Sequence, residues 1–84
     1  MIIASAIKVT QEGKDPIIVT GKRHCNCFET IHDMGIRRPF VDEQGFMTDA
    51  GDFLTRERAF KYAMIHKQIT YPIKYGTLFS EDLW

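Results

Sequence analysis

Three basic residues in a row, Lys22, Arg23 and His24, stand just ahead of Cys25, Asn26 and Cys27 in the stretch TGKRHCNCFETIHDMG. Two further arginines, Arg56 and Arg58, open the stretch TRERAFKYAM. Both stretches read as helix starts. A helix start carries the positive end of the helix dipole and backbone N–H groups without partners inside the helix. A cation placed there costs about 0.3–1 kcal/mol, and Glu57 offsets part of that at the second start. An anion reverses the sign, because free N–H groups, the dipole and the planar guanidinium fork all favour it. The chemistry on offer is phosphate binding, with Arg23 and His24 on one side and Arg56 or Arg58 on the other. Asn26 and Gln44 carry amide edges that can read a base, and Phe46 or Phe40 a ring on which a base can stack. Arg37 and Arg38, before Pro39, are placed to close over the same rim. The competing reading spends these arginines inside the molecule, on Asp42, Glu43, Asp49, Asp52, Glu81, Asp82 or the terminal carboxylate, or leaves them in solvent.

Other constellations are weaker. Cys25 and Cys27 are too close in sequence for an unstrained disulfide, and on a helix they face nearly opposite sides. Zinc asks for four ligands at spacings such as C-x-x-C, which this chain lacks, so no metal site and no cofactor is expected. Cys25 at a basic helix start would favour its thiolate, yet one Cys and one His without a family spacing are thin grounds for a nucleophile. His24 and His66 could act as acid and base on a phosphodiester held by arginines. His66, however, falls near a helix C-terminus, where a cation is welcome for structural reasons. No catalytic residue is assigned, and a binder is expected ahead of an enzyme.

The elements that must position these groups follow from the pattern. IIASAIKVT is apolar, partly alternating and β-branched, a strand. QEGKDP is a hairpin turn and PIIVT the returning strand, which ends at Gly21. A helix is expected from Asn26 to Met34, with Cys27, Phe28, Ile31 and Met34 on one face and Gly35 as its stop. IRRPFVDEQ reads as a loop, GFMTDAGDFLT as a hairpin of short strands, and Thr55 as the cap of a helix over Arg56–Lys67. Its apolar face is Ala59, Phe60, Ala63 and Met64. The end, ITYPIKYGTLFSEDLW, reads as an edge strand or extended tail whose Trp84 docks on its own body or on a neighbouring subunit. The fold class is α+β: a small antiparallel sheet with two helices on one face, in the order β-β-α-β-β-α-(β). With 84 residues the chain forms a single domain over 1–84. So small a domain is of marginal stability, which makes a homo-oligomer attractive. Eleven basic and eleven acidic residues cancel, which disfavours a nucleic-acid partner and a strongly acidic DNA mimic alike. The apolar runs are too short for a membrane span, no signal peptide is recognisable, and reduced cysteines fit the cytoplasm of a host cell.

Four segments together resemble a group of small uncharacterised proteins of phage and prophage genomes: GKRH before the first helix, QGFMT, FLTRERA at the second helix and LFSEDLW at the end. In that group the pattern runs G-x-R-H, Q-G-F-[LM]-T, F-[VL]-x-R-x-x-A and S-E-D-L-[YW], and here it spans Gly21 to Trp84. The resemblance singles out Gly21, Arg23, His24, Gln44, Gly45, Phe46, Arg56, Ser80, Glu81 and Asp82. It implies a phage accessory protein but no particular activity. Small accessory proteins of phages often blunt host immunity. The expectation is therefore a sponge that sequesters a phosphate-bearing immune signal, such as a cyclic nucleotide or an ADP-ribose derivative, through Arg23, His24, Asn26, Gln44, Phe46 and Arg56. The alternatives are an inhibitor that binds a host protein through the C-terminal tail, and a phosphodiesterase or nuclease using His24.

Overall fold

The computed structural model describes residues 1–69 and Leu83. Its elements are β1 (Ile2–Thr10), β2 (Ile17–Gly21), α1 (His24–Asp33), β3 (Val41–Thr48), β4 (Phe53–Thr55) and α2 (Arg56–Ile65). The strands form one antiparallel sheet in the order β2-β1-β3-β4. The expected α+β class and element order therefore hold through α2. The final segment that the sequence offers as a further strand lies outside the described residues, apart from Leu83.

Register decides which side chains meet. Ser5 pairs with Gly21 on one side and with Phe46 on the other, and Phe46 pairs with Leu54. Residues paired across an antiparallel sheet share a face, and residues two apart along a strand share it too. Ser5, Ile7, Val9, Val19, Phe46 and Leu54 thus point to one face, and both helices cover it. At one end, Ile7, Val9 and Val19 pack under Cys27 and Ile31 of α1. At the other, Ile2 and Phe46 pack under Ala59 and Ala63 of α2, with Ile69. An irregularity in the β1–β3 pairing between Ile2 and Ala4 leaves Ile3 exposed and returns Ile2 to the core face.

The core is therefore in two halves, and the helices leave the middle of the sheet in opposite directions. α1 begins three residues after Gly21 and runs over the half that holds Val9. α2 begins two residues after Leu54 and runs toward Ile2. Their N-termini face one another across the row Gly21–Ser5–Phe46–Leu54.

Three details differ from the sequence reading. β3 starts at Val41, so Asp42, Glu43 and Gln44 belong to a strand and not to a loop. α1 begins at His24 rather than Asn26 and ends at Asp33, which leaves Met34 as an exposed cap residue outside the core face. α2 stops at Ile65, and Met64 is exposed. Thr55 caps α2 as expected, its hydroxyl accepting from the Arg58 N–H at 3.3 Å.

Candidate functional site

The site expected from the sequence falls at the joint between the two core halves. Ser5 ties down the entry to α1: its hydroxyl, fully buried, donates to the Lys22 carbonyl at 3.0 Å. Gly21 lets the turn come close. A Cβ on it would lie 3.2 Å from the Cys27 nitrogen and 3.3 Å from the Cys27 sulfur, tighter than a side chain ordinarily sits. Arg23 is the N-cap of α1, in extended conformation, and its N–H donates to the Asn26 side-chain oxygen at 3.1 Å. This is half of a capping box, since an arginine side chain has no acceptor with which to return the bond. The Asn26 amide oxygen is thus committed to the cap, not held out to read a base.

His24, only 7% exposed, follows at the first helical position. Its Nε2 stands 2.8 Å from the Gly45 carbonyl oxygen. A carbonyl only accepts, so Nε2 carries the proton. The imidazole also meets Phe46 edge-on, ring centroids 5.1 Å apart. From the other side, the Arg56 Nη2 donates to the Gln44 side-chain oxygen, and the Arg56 Nε is shut off from water. The two helix starts thereby reach consecutive residues of β3, Gln44 and Gly45.

Four of the six expected residues, His24, Gln44, Phe46 and Arg56, are gathered at this joint, with Arg23 and Asn26 at the cap beside it. Phe46 requires a correction as a stacking platform. Its inward register leaves it 0% exposed, so its ring belongs to the core. Phe40 does not join the site. It lies with Phe28, Ile36, Arg37 and Arg38 around a cavity by the C-terminal half of α1. Arg37 and Arg38 therefore do not close over the helix starts: they follow the far end of α1, about 15 Å along a ten-residue helix. Ser5 adjoins the residues of the joint, which the sequence reading does not anticipate. The signal was present, because it is the polar residue on the inward parity of β1, in step with Ile7 and Val9.

The acid–base pair of His24 and His66 is not assembled. His66 caps the C-terminal end of α2, its ring over that of Tyr62 with centroids 4.1 Å apart, at the opposite end of the helix from Arg56. Cys25 is exposed and Cys27 buried, both as free thiols. Burial pushes the Cys27 thiol up to about 11, so it stays protonated at neutral pH. Among the described residues no group of His, Cys, Asp and Glu is placed to hold a metal ion, and no helix is long and apolar enough to cross a membrane. The pairing of arginines with Glu81, Asp82 or the terminal carboxylate falls outside the described residues.

The model of one protein family, the phage T4 y16D protein, matches the chain over residues 1–84. The chain belongs to that family. The phage origin expected from the motif resemblance thus holds at the level of the family. No curated protein and no solved structure matches the chain. As a member of the y16D family it is a small phage protein.

Proposed function

We propose that this phage protein binds a phosphate-bearing small ligand at the joint between its two helix starts, and that it acts as a sponge for a nucleotide signal of host defence. The observation that carries the reading is the head-to-head arrangement of α1 and α2 over Ser5 and Phe46, with Arg23 and His24 at one N-terminus and Arg56 at the other. Each helix start turns its positive dipole end toward the joint, which favours an anion there. Arginine's fork suits bidentate contact with phosphate oxygens. Gly45 gives the site a rigid floor, since it is paired with Ala6 of β1 on one side and Thr55 of β4 on the other.

The test is a thermal-shift panel of nucleotides that includes cyclic dinucleotides and cyclic ADP-ribose forms. A ligand at 100 times its Kd adds about 2.7 kcal/mol of stability. Arg23→Ala and Arg56→Lys should remove the shift, the second because it keeps the charge and loses the fork. Ligand recovered intact after boiling marks a sponge, and altered ligand marks turnover. A panel without any shift sinks the reading.

One observation favours a second reading. Leu83 packs on the cluster that contains Phe46, and in sequence it follows directly on Glu81 and Asp82. On this reading the anion is the chain's own, and the tail is a structural part of the protein, not an anchor for a host factor. Glu81→Gln with Asp82→Gln should then lower the melting temperature, whereas a ligand site would gain affinity from the same change.

A further inference from the structure

The cavity beside the C-terminal half of α1 is a different kind of place from the joint. It measures about 300 Å³ and is lined by Phe28, Ile31, His32, Ile36, Arg37, Arg38 and Phe40. Ile31 is buried and belongs to the core under α1, while Phe28, Ile36 and Phe40 are half-buried and pack against that core. The Arg38 guanidinium carbon lies 4.5 Å from the centre of the Phe40 ring. The same side chain reaches Asp42 at 3.5 Å. Stacking on an aromatic face and an ion pair on one edge hold a guanidinium in a fixed plane. Arg37 is exposed beside it. No carboxylate is among the lining residues. Around the cavity, Asp42 is engaged by Arg38, Asp33 lies 3.7 Å from His32, and Glu29 lines a neighbouring cavity with Phe28 and His32.

An apolar floor with two aromatic rings selects a flat, apolar body. A rim of two arginines and a histidine selects negative charge. The volume stands at the lower bound for small-molecule sites, about 300 Å³, which suits a single ring system and not a dinucleotide. We propose that this cavity is a second binding site, for a planar aromatic ring that carries one anionic group and has the size of a single nucleotide. The ring lies between Phe28 and Phe40, and the anion meets Arg37 and Arg38. The site is separate from the joint, and neither requires the other.

The experiment is an amide-resolved NMR titration of the whole protein with 5′-AMP, with adenosine and ribose 5-phosphate as the uncharged and ring-free arms. AMP should shift the amides of Phe28, Ile36, Arg37 and Phe40, and each fragment should bind at least about tenfold more weakly, as the loss of a charge-assisted bond or of a buried ring implies. Arg37→Gln, an exposed position, should weaken AMP about tenfold at unchanged melting temperature. Phe40→Leu, which keeps an apolar side chain and removes the ring, should weaken AMP and adenosine alike. Adenosine binding as tightly as AMP would overturn the proposal, as would shifts confined to residues 23–24, 44–46 and 56. The latter result would leave the joint standing as a phosphate site.

Discussion

The imidazole Nε2 of His24 donates to the Gly45 carbonyl at 2.8 Å, and through that bond the first residue of α1 is fastened to an interior strand. The bond is buried, so its loss removes a donor that water does not readily replace. His24→Ala should cost about 1–3 kcal/mol, read as a lower urea midpoint. Glutamine places an amide N–H at nearly the reach of Nε2, while asparagine stops an atom short. His24→Gln should therefore recover most of the loss and His24→Asn little of it. Equal stability of the two would show that the bond is not what His24 contributes.

Gly45 is held from the other side as well. A Cβ there would stand 2.7 and 2.9 Å from two atoms of the Phe53 ring and would collide with the Leu54 carbonyl oxygen. The ring can turn, but a backbone oxygen in the β3–β4 ladder cannot. Gly45→Ala should cost about 3 kcal/mol, the upper end for overpacking, and should loosen β4 first. Hydrogen exchange would show Phe53–Thr55 losing protection before β1 does. Uniform loss across the sheet would contradict this.

These two residues show what was legible beforehand and what was not. β1, β2, both helices and the Thr55 cap follow from periodicity and capping chemistry, which are local. The stretch IRRPFVDEQ, with its proline, reads as a loop, yet its last four residues belong to β3. They form strand because β1 is long enough to pair with them as far as Thr10, and pairing overrides propensity. That one misreading moved Phe46: only the register from Val41 onward, set against Ser5, shows its ring to be inward. The gathering of His24, Gln44 and Arg56 was expected from charge at two helix starts. The placing of Arg37 and Arg38 elsewhere was not readable, because it depends on the direction in which α1 leaves the sheet.

The N-terminal ammonium of Met1 lies 2.8 Å from the Asp49 carboxylate and 2.5 Å from the Tyr62 hydroxyl, and so joins β1, the β3–β4 turn and α2. The bond to Asp49 raises the amine above its ordinary 8.0, and the ammonium holds the Asp49 carboxyl below its ordinary 3.8. A raised amine contributes stability in full below pH 8.0 and loses it as pH climbs through the raised value. A depressed carboxylate contributes in full above pH 3.8 and loses it as pH falls through the lowered value. The contribution is therefore a plateau between the two. The pair is exposed and salt will weaken it. Asp49→Asn, or acetylation of the amine, should remove this pair's part of the pH dependence. Unchanged melting curves of Asp49→Asn between pH 7 and 10 relative to the parent would refute the coupling.

The two cysteines differ by position on α1 alone. Cys25 faces solvent. Cys27 is fully buried against Ile7, Val19 and Ile31, with its sulfur 3.6 Å from the Ser5 carbonyl, and burial holds its thiol near 11. The thiolate is the reactive form. Iodoacetamide at pH 8 should therefore modify one thiol in the folded protein and two in urea, and mass spectrometry should place the first label on Cys25. The rate at Cys27 should follow opening of α1, since its side chain is fully buried under the helix. Phosphate-bearing ligands that bind at the joint would stabilise the start of α1 and slow that second labelling. Ligands confined to the cavity at the far end of the helix would slow it less. Rapid labelling of both thiols without denaturant would show that α1 is not fastened to the sheet as Ser5, His24 and Cys27 fasten it here.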